Sequence, residues 1–213
     1  KQVQETYART GKDPARHFLD PQDRILRINP CDEIAMGLAV AAAAETENAE
    51  VIVVTIGSLV AEEELWRIMA MGGDRLCQVD PGPVEGGVDT LDSWCKARML
   101  ARAVRAIEGD LVLCGSASID RQNGLVAAFL ADRLNLPFVS SIVDLRLIHG
   151  AGRARVTKRV GKGRREVIES RVPAVFSVDL ARTVPLAPSF AAREQARRQG
   201  VTRILVDGQA IRP

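Results

Sequence analysis

The chain is poor in the residues from which most reactive centres are built. Its 213 residues include only two histidines, His17 and His149, and four cysteines, Cys31, Cys77, Cys95 and Cys114, with no Cys-x-x-Cys pair. Two distant histidines make neither a zinc cage nor a histidine-centred triad. Four scattered thiols, three of them in or beside stretches that read as buried, suit structural free cysteines better than a disulfide framework. No metal ligand and no catalytic group is assigned. No apolar run approaches the ~20 residues of a membrane-crossing helix, and no charged-then-apolar leader opens the chain. The expectation is a protein of the cytoplasm, or of the mitochondrial matrix in a eukaryote, with no membrane insertion.

What remains is the balance of a soluble α/β protein, with 46% hydrophobic and 26% charged residues. The length suits one domain with a small appendage. The net charge of +2 is unevenly spread. Residues 146–171 carry nine Lys/Arg against Glu166 and Glu169, a local +7, which leaves −5 on the rest. No aromatic is interleaved there for base stacking, so the segment reads as a solvated strand face and no nucleic-acid partner is assigned.

Periodicity gives the architecture. Asn29-Pro30 followed by Asp32 and Glu33 is a helix start, with Asn as cap, Pro in the first position and acids against the dipole; the helix runs to about Thr46. Val51 to Ile56 is a β-branched run that reads as a strand buried on both faces. A helix led by Glu62, Glu63 and Glu64 follows and ends at Gly72-Gly73. Arg75 to Val79 is a short strand, and Thr90 is read as the cap of a long helix carrying Leu91, Trp94, Ala97, Ala101, Val104 and Ile107 at spacings of three and four. Beyond Pro137 the pattern changes to hairpins split by glycines, then a buried strand from Pro173 to Leu180, a helix from Phe190 to Gln199 and a last strand from Ile204 to Val206. Strand-helix alternation over 29–142 predicts a doubly wound, mostly parallel sheet with the hairpins added at one side.

The most informative stretch is 109–131, GDLVLCGSASIDRQNGLVAAFLA. It reads as a strand from Asp110 to Cys114, a small-residue loop, and a helix starting near Asn123 or Gly124. At the carboxyl end of a parallel strand the next helix turns its unpaired N–H groups toward the loop, which stabilises an anion. Gly115 permits close backbone approach, and Ser116, Ser118, Asp120 and Asn123 supply hydrogen-bonding side chains. By itself such a loop is equally an ordinary connection.

Several landmarks in order resemble the β subunit of electron transfer flavoproteins. They are Lys1-Gln2-Val3; Asn29-Pro30-x-x-Glu33; Met69-Ala70-Met71-Gly72-x-Asp74-Arg75; the strand from Asp110 to Gly115 with Ile119-Asp120; Leu136-Pro137; Pro173-Ala174-Val175; and Val178-Asp179-Leu180. The resemblance implies a fold related to adenine-nucleotide hydrolases, AMP held on this chain, and a heterodimer with an α subunit that holds FAD and receives electrons from a flavin dehydrogenase. It implies an electron carrier, not an enzyme. It places nucleotide-binding roles at Asn29, Pro30, Cys31, Asp32, Ile56 and the run Gly115, Ser116, Ser118, Asp120, Asn123, Gly124, Leu125 and Val126, with the two helix starts converging on one phosphate. It also places the family's first strand immediately before Lys1. Residues 1–180 would be the nucleotide-binding domain, with hairpins within 138–172, and 181–213 a docking loop, short helix and terminal segment.

The chain departs from the family at two places. Acidic residues and a Gln-Thr or Gln-Val pair are replaced by Arg121, Gln122, Asn123, Gly124, Leu125 and Val126, so that Leu125 offers phosphate only its backbone. The docking run after Leu180 reads ARTVPLAPSF, with Phe190 at the anchor position, either docking a partner dehydrogenase or packed on its own helix. Two alternatives stay open: a bifurcating version with a second FAD on this chain accepting hydride from NADH, and an adenine-nucleotide sensor or hydrolase.

Overall fold

A computed structural model describes residues 27–57, 62–84, 88–119, 122–148, 150–180, 188–200 and 202–205. The Lys1-Gln2-Val3 motif, His17, Asp120, Arg121, His149 and residues 181–187 lie outside the described residues. The elements in order are α1 (Pro30–Ala44), β1 (Ile52–Ile56), α2 (Glu62–Met69), β2 (Arg75–Asp80), a short 3-10 turn (Val88–Thr90), α3 (Ser93–Ala106), β3 (Leu111–Gly115) and α4 (Val126–Leu134). Then come β4 (Phe138–Ile148), β5 (Arg153–Gly161), β6 (Arg164–Arg171), β7 (Ala174–Val178), α5 (Phe190–Gln199) and β8 (Thr202–Leu205). The α/β fold is as the periodicity predicts, and among the described residues no helix is long and apolar enough to cross a membrane.

The strands form two hydrogen-bonded sets. One is β1-β2-β8, parallel throughout; the other is β3-β7-β4-β5-β6. Within the second, β3, β7 and β4 are parallel and β4, β5 and β6 antiparallel. Strand β4 serves both patterns. Its first residues pair with β7, the ladder shifts register around Ser141, which has φ +56°, and the rest pairs with β5. The bulge re-aims the strand, which is how a hairpin grows from the edge of a parallel sheet.

Among the parallel strands, position in the sheet governs burial. Interior strand β7 is buried at every residue and interior β2 at four of six. The run that reads as buried on both faces, β1, is only half-buried, and so is β3, because each stands at an edge of its set among the described residues. Sequence pattern reports apolarity and does not report place in the strand order.

Two helices join the sets. Helix α1 turns Ile34, Ala35 and Ala42 toward Phe176, Val178 and Ile142 of the second sheet, while Met36 packs with Val51 and Ile68 beside the first. Covered on two sides, it has no single apolar stripe, and its alanines permit close approach. Helix α3 packs Met99 and Ala103 against Val79 of β2, and Ala97 and Ala101 against Leu130 of α4. Its cap is Asp92, whose carboxylate accepts the Cys95 N–H at 2.7 Å, and not Thr90, which ends the preceding 3-10 turn. Helix α5 places Ala196 in the cluster of Leu65, Trp66 and Met69, and β8 pairs with β2, so the terminal segment contributes to the first sheet.

Candidate functional site

The junction at the end of β3 is built by the start of α1. Asn29 is the N-cap by position, with φ −62° and ψ 129°, but its side chain makes no cap hydrogen bond. Its amide instead donates to Ala117 O at 2.9 Å and to Asp32 Oδ2 at 2.8 Å. Asp32 Oδ1 accepts the Gly115 N–H at 2.6 Å. Ser116 donates its hydroxyl to the sulfur of Cys31 at 3.8 Å, and its N–H bonds Val178 O at 2.7 Å, which carries the β3-β7 ladder one residue further. Residues separated by more than eighty positions thus form one bonded cluster, and Asn29, Cys31, Asp32, Gly115 and Ser116 are all in it.

Gly115 is required there, though not to admit a ligand. A Cβ on it would lie 2.6 Å from Asn29 Nδ2 and 2.7 Å from Asp32 Oδ2, so the close approach is made by α1 side chains. The loop beyond then folds back. Gln122 donates to Ser118 O at 3.1 Å with φ +51°, and Gly124, at φ +62°, comes against Ser116 O. Both positions use the left-handed region that glycine tolerates most easily.

The following helix begins later than its apolar pattern suggests, at Val126, and Leu125 in the cap position has no side-chain oxygen with which to cap it. The first-turn N–H groups of α4 therefore have neither an intrahelical acceptor nor a side-chain cap. Ser118, Asn123, Gly124 and Leu125 around this opening are exposed, and Val126 is half-buried. The two ends of the cluster differ electrically. An uncapped helix start attracts an anion, whereas the Asp32 carboxylate at the α1 end repels one. Ile56, also expected at the site, ends β1 and packs toward Val79, Met99 and Ala103.

Two features were not read from sequence. Cys114, just before the junction, packs against Ala127, Leu130 and Val175, and this desolvation, with the Asp32 carboxylate adding to it, pushes its thiol up to about 12. The second is an ion cluster behind α1. Arg67 of α2 bonds Glu33 and, at 2.9 Å, Glu64; Glu64 also accepts from Arg27 at 3.1 Å and from the Ile28 N–H at 3.3 Å. Desolvation alone would raise the Glu64 carboxyl, and the bonds from Arg67 and Ile28 outweigh it, holding the group below its ordinary value. Desolvation likewise works against the Arg67 charge, and its bonds to Glu64 and Glu33 more than compensate. The cluster fixes α1 relative to α2. The Glu33 of the Asn-Pro-x-x-Glu motif was the available signal.

At the other end of the chain, Phe190 opens α5 behind a Ser189 cap whose hydroxyl accepts the Ala192 N–H at 3.2 Å. Phe190 is 79% exposed, a large apolar side chain open to solvent.

The sequence model of the electron transfer flavoprotein domain matches residues 20–207. The chain is 28% identical over 180 residues to the electron transfer flavoprotein subunit beta of Bacillus subtilis, covering 84% of this chain and 67% of that protein. It is 30% identical over 178 residues to the namesake subunit of Syntrophomonas wolfei, covering 83% and 66%. It is 30% identical over 151 residues to the caffeyl-CoA reductase-Etf complex subunit CarD of Acetobacterium woodii, covering 70% and 55%. The chain thus spans at most about two thirds of the length of these relatives.

Proposed function

The chain belongs to the electron transfer flavoprotein β-subunit family, and from that premise we propose that it holds AMP at the β3-α4 loop and pairs with an FAD-carrying α subunit to pass electrons from a flavin dehydrogenase to a downstream acceptor. The observation that supports the nucleotide site is the bonded cluster joining Asn29 and Asp32 to the loop at Gly115 and Ala117. It mounts an open, glycine-bent loop on a rigid frame, beside a helix start with no cap of its own.

In this reading the phosphate meets the N–H groups of Gly124, Leu125, Val126 and the first turn of α4, with Asn123 and Ser118 as side-chain donors, while Ser116, whose hydroxyl is donated to Cys31, lines the site. Loss of a polar side chain at Leu125 is tolerated because the backbone supplies the hydrogen bonds. Asp32 keeps phosphate from the α1 end and accepts from the hydroxyl or amino groups of the nucleoside. Asn29 holds Asp32 and the loop in register, Pro30 starts α1 at that angle, and Cys31 seats the Ser116 hydroxyl. Asp120 and Ile56 remain family-implied contacts.

FAD, when bound by the heterodimer, supplies the electron chemistry; this chain binds, orients and docks. Phe190, exposed at the start of α5, is the anchor that a dehydrogenase would bury. Residues 1–180 form the nucleotide-binding body and 181–213 the docking segment, tied back by β8.

A second reading places FAD on this chain in place of AMP, and one relative's membership of a reductase-Etf complex favours keeping it. Thermal melts of the purified chain with AMP test the first. Ligand at 100-fold its Kd adds about 2.7 kcal/mol to stability, so the midpoint should climb with AMP concentration. A midpoint that ignores AMP contradicts the proposal. Steady ATP turnover by the isolated chain would instead support a hydrolase.

A further inference from the structure

The three antiparallel strands at the edge of the second sheet have two unlike faces. Ala154, Val156, Leu145 and Ser170 are buried on one. On the other, the register sets Arg146 opposite Arg155, Arg153 opposite Arg171, and Arg159 opposite Arg165. Like charges directly opposite each other are destabilising where carboxylates do not neutralise them. Two carboxylates share the face, Asp144 and Glu169. Glu169 pairs with Arg155 at 2.8 Å and Arg153 at 3.7 Å, and Asp179 reaches Arg159 at 3.3 Å. Among the described residues no carboxylate comes within ion-pair distance of Arg146, Arg165 or Arg171, all of which are exposed.

The composition of this face discriminates between occupants. Every cation on it is arginine, and Lys162 stands at the hairpin tip instead. Val167, opposite Thr157, is 66% exposed within the arginine rows. Arginines around an apolar centre are the composition of a protein interface, in which planar guanidinium groups pair with carboxylates and lysine is depleted. A nucleic-acid surface would want aromatics for stacking, and the face has none.

We propose that the outer face of β4-β5-β6 docks a carboxylate-bearing, apolar-centred surface of the FAD-carrying partner subunit, with Val167 at the centre and Arg146, Arg165 and Arg171 forming ion pairs across the contact. This rests on the heterodimer reading given above and adds which surface makes the contact and by what chemistry. Relief of the opposed arginine pairs makes the docked state the one in which this face is electrically balanced.

The test uses the complex purified with its FAD-carrying subunit. The Kd of the heterodimer is measured for the wild type, for Arg146→Glu with Arg171→Glu, for Val167→Asp, and for Arg102→Glu on the exposed side of α3 as control. The expected result is a loss of affinity of at least tenfold for the first two, none for the control, and a wild-type Kd that rises between 50 and 500 mM salt. Circular dichroism melts show whether each variant is folded; should the double variant fail to fold, the wild-type salt series and Val167→Asp decide. A wild-type complex insensitive to salt, or folded variants with wild-type affinity, overturns the proposal while leaving the heterodimer intact. So do folded variants that assemble normally but lose affinity for a DNA duplex, which would make the face a polyanion site. A wild-type chain that forms no heterodimer at all removes the premise and the proposal with it.

Discussion

The Asp32 carboxylate accepts the Gly115 N–H at 2.6 Å across 83 residues of sequence. Through this bond the start of α1 and the end of β3 become one rigid unit, and α1 in turn packs against both sheets. The loop that follows Gly115 is therefore mounted on a helix held by packing on both sides.

Gly115→Ala tests that mounting. Its methyl would meet Asn29 Nδ2 at 2.6 Å and Asp32 Oδ2 at 2.7 Å, and those two short side chains are bonded to each other. Overpacking of this kind costs ~1–3 kcal/mol. The expected outcome is a lower urea midpoint together with weaker AMP binding; a variant with the wild-type midpoint would show that α1 does not fix the loop.

Acid should loosen α1 through Glu64. Its carboxyl is held below the ordinary value in the folded protein, so its stabilising contribution is complete above the unfolded-state value and is lost as the pH falls through the lowered one. Charge-assisted bonds like those from Arg67 contribute ~1.5–3 kcal/mol. Melts of wild type and Glu64→Gln between pH 7 and pH 3 should differ most near neutrality and converge at the acid end. Parallel curves would contradict the assignment.

The Cys114 thiol should be inert in the folded protein. Pushed up to about 12, it carries about one part in ten thousand of thiolate at pH 8. Peptide mapping after iodoacetamide at pH 8 should find Cys114 unmodified in buffer and modified in urea. Rapid labelling of the native protein would show that the end of β3 opens.

Much of this is legible in the sequence, because apolar period and capping chemistry are local. The helix from Phe190 to Gln199 and the hairpin region stand where the sequence puts them. What could not be read depends on contacts between distant segments. Nothing near Asn29 says that its amide serves Ala117 O instead of its own helix, and nothing near Val51 says that its strand will stand at a sheet edge. Asp92 and Thr90 are both capable caps two residues apart, and only the backbone path decides between them. The start of α4 lies later than its apolar pattern indicates for a similar reason, since Gly124 takes the left-handed bend before the helix begins.

Phe190→Ala separates docking from folding. A side chain 79% exposed has little burial to lose, so stability should change by less than ~0.5 kcal/mol. Electron transfer from the partner dehydrogenase should fall at least tenfold, as for an interface anchor worth ~1.4 kcal/mol or more. Unchanged transfer would remove Phe190 from the docking surface.

The most direct measurement is a cofactor count on the heterodimer purified without added nucleotide. After acid extraction, chromatography should yield one AMP and one FAD per pair of subunits, with the AMP lost and the FAD retained in Gly115→Ala. Two FAD and no AMP would assign the loop to a second flavin. A fully assembled heterodimer containing no adenine nucleotide other than that of its single FAD would contradict the claim that Asn29, Asp32 and the β3-α4 loop form a nucleotide site.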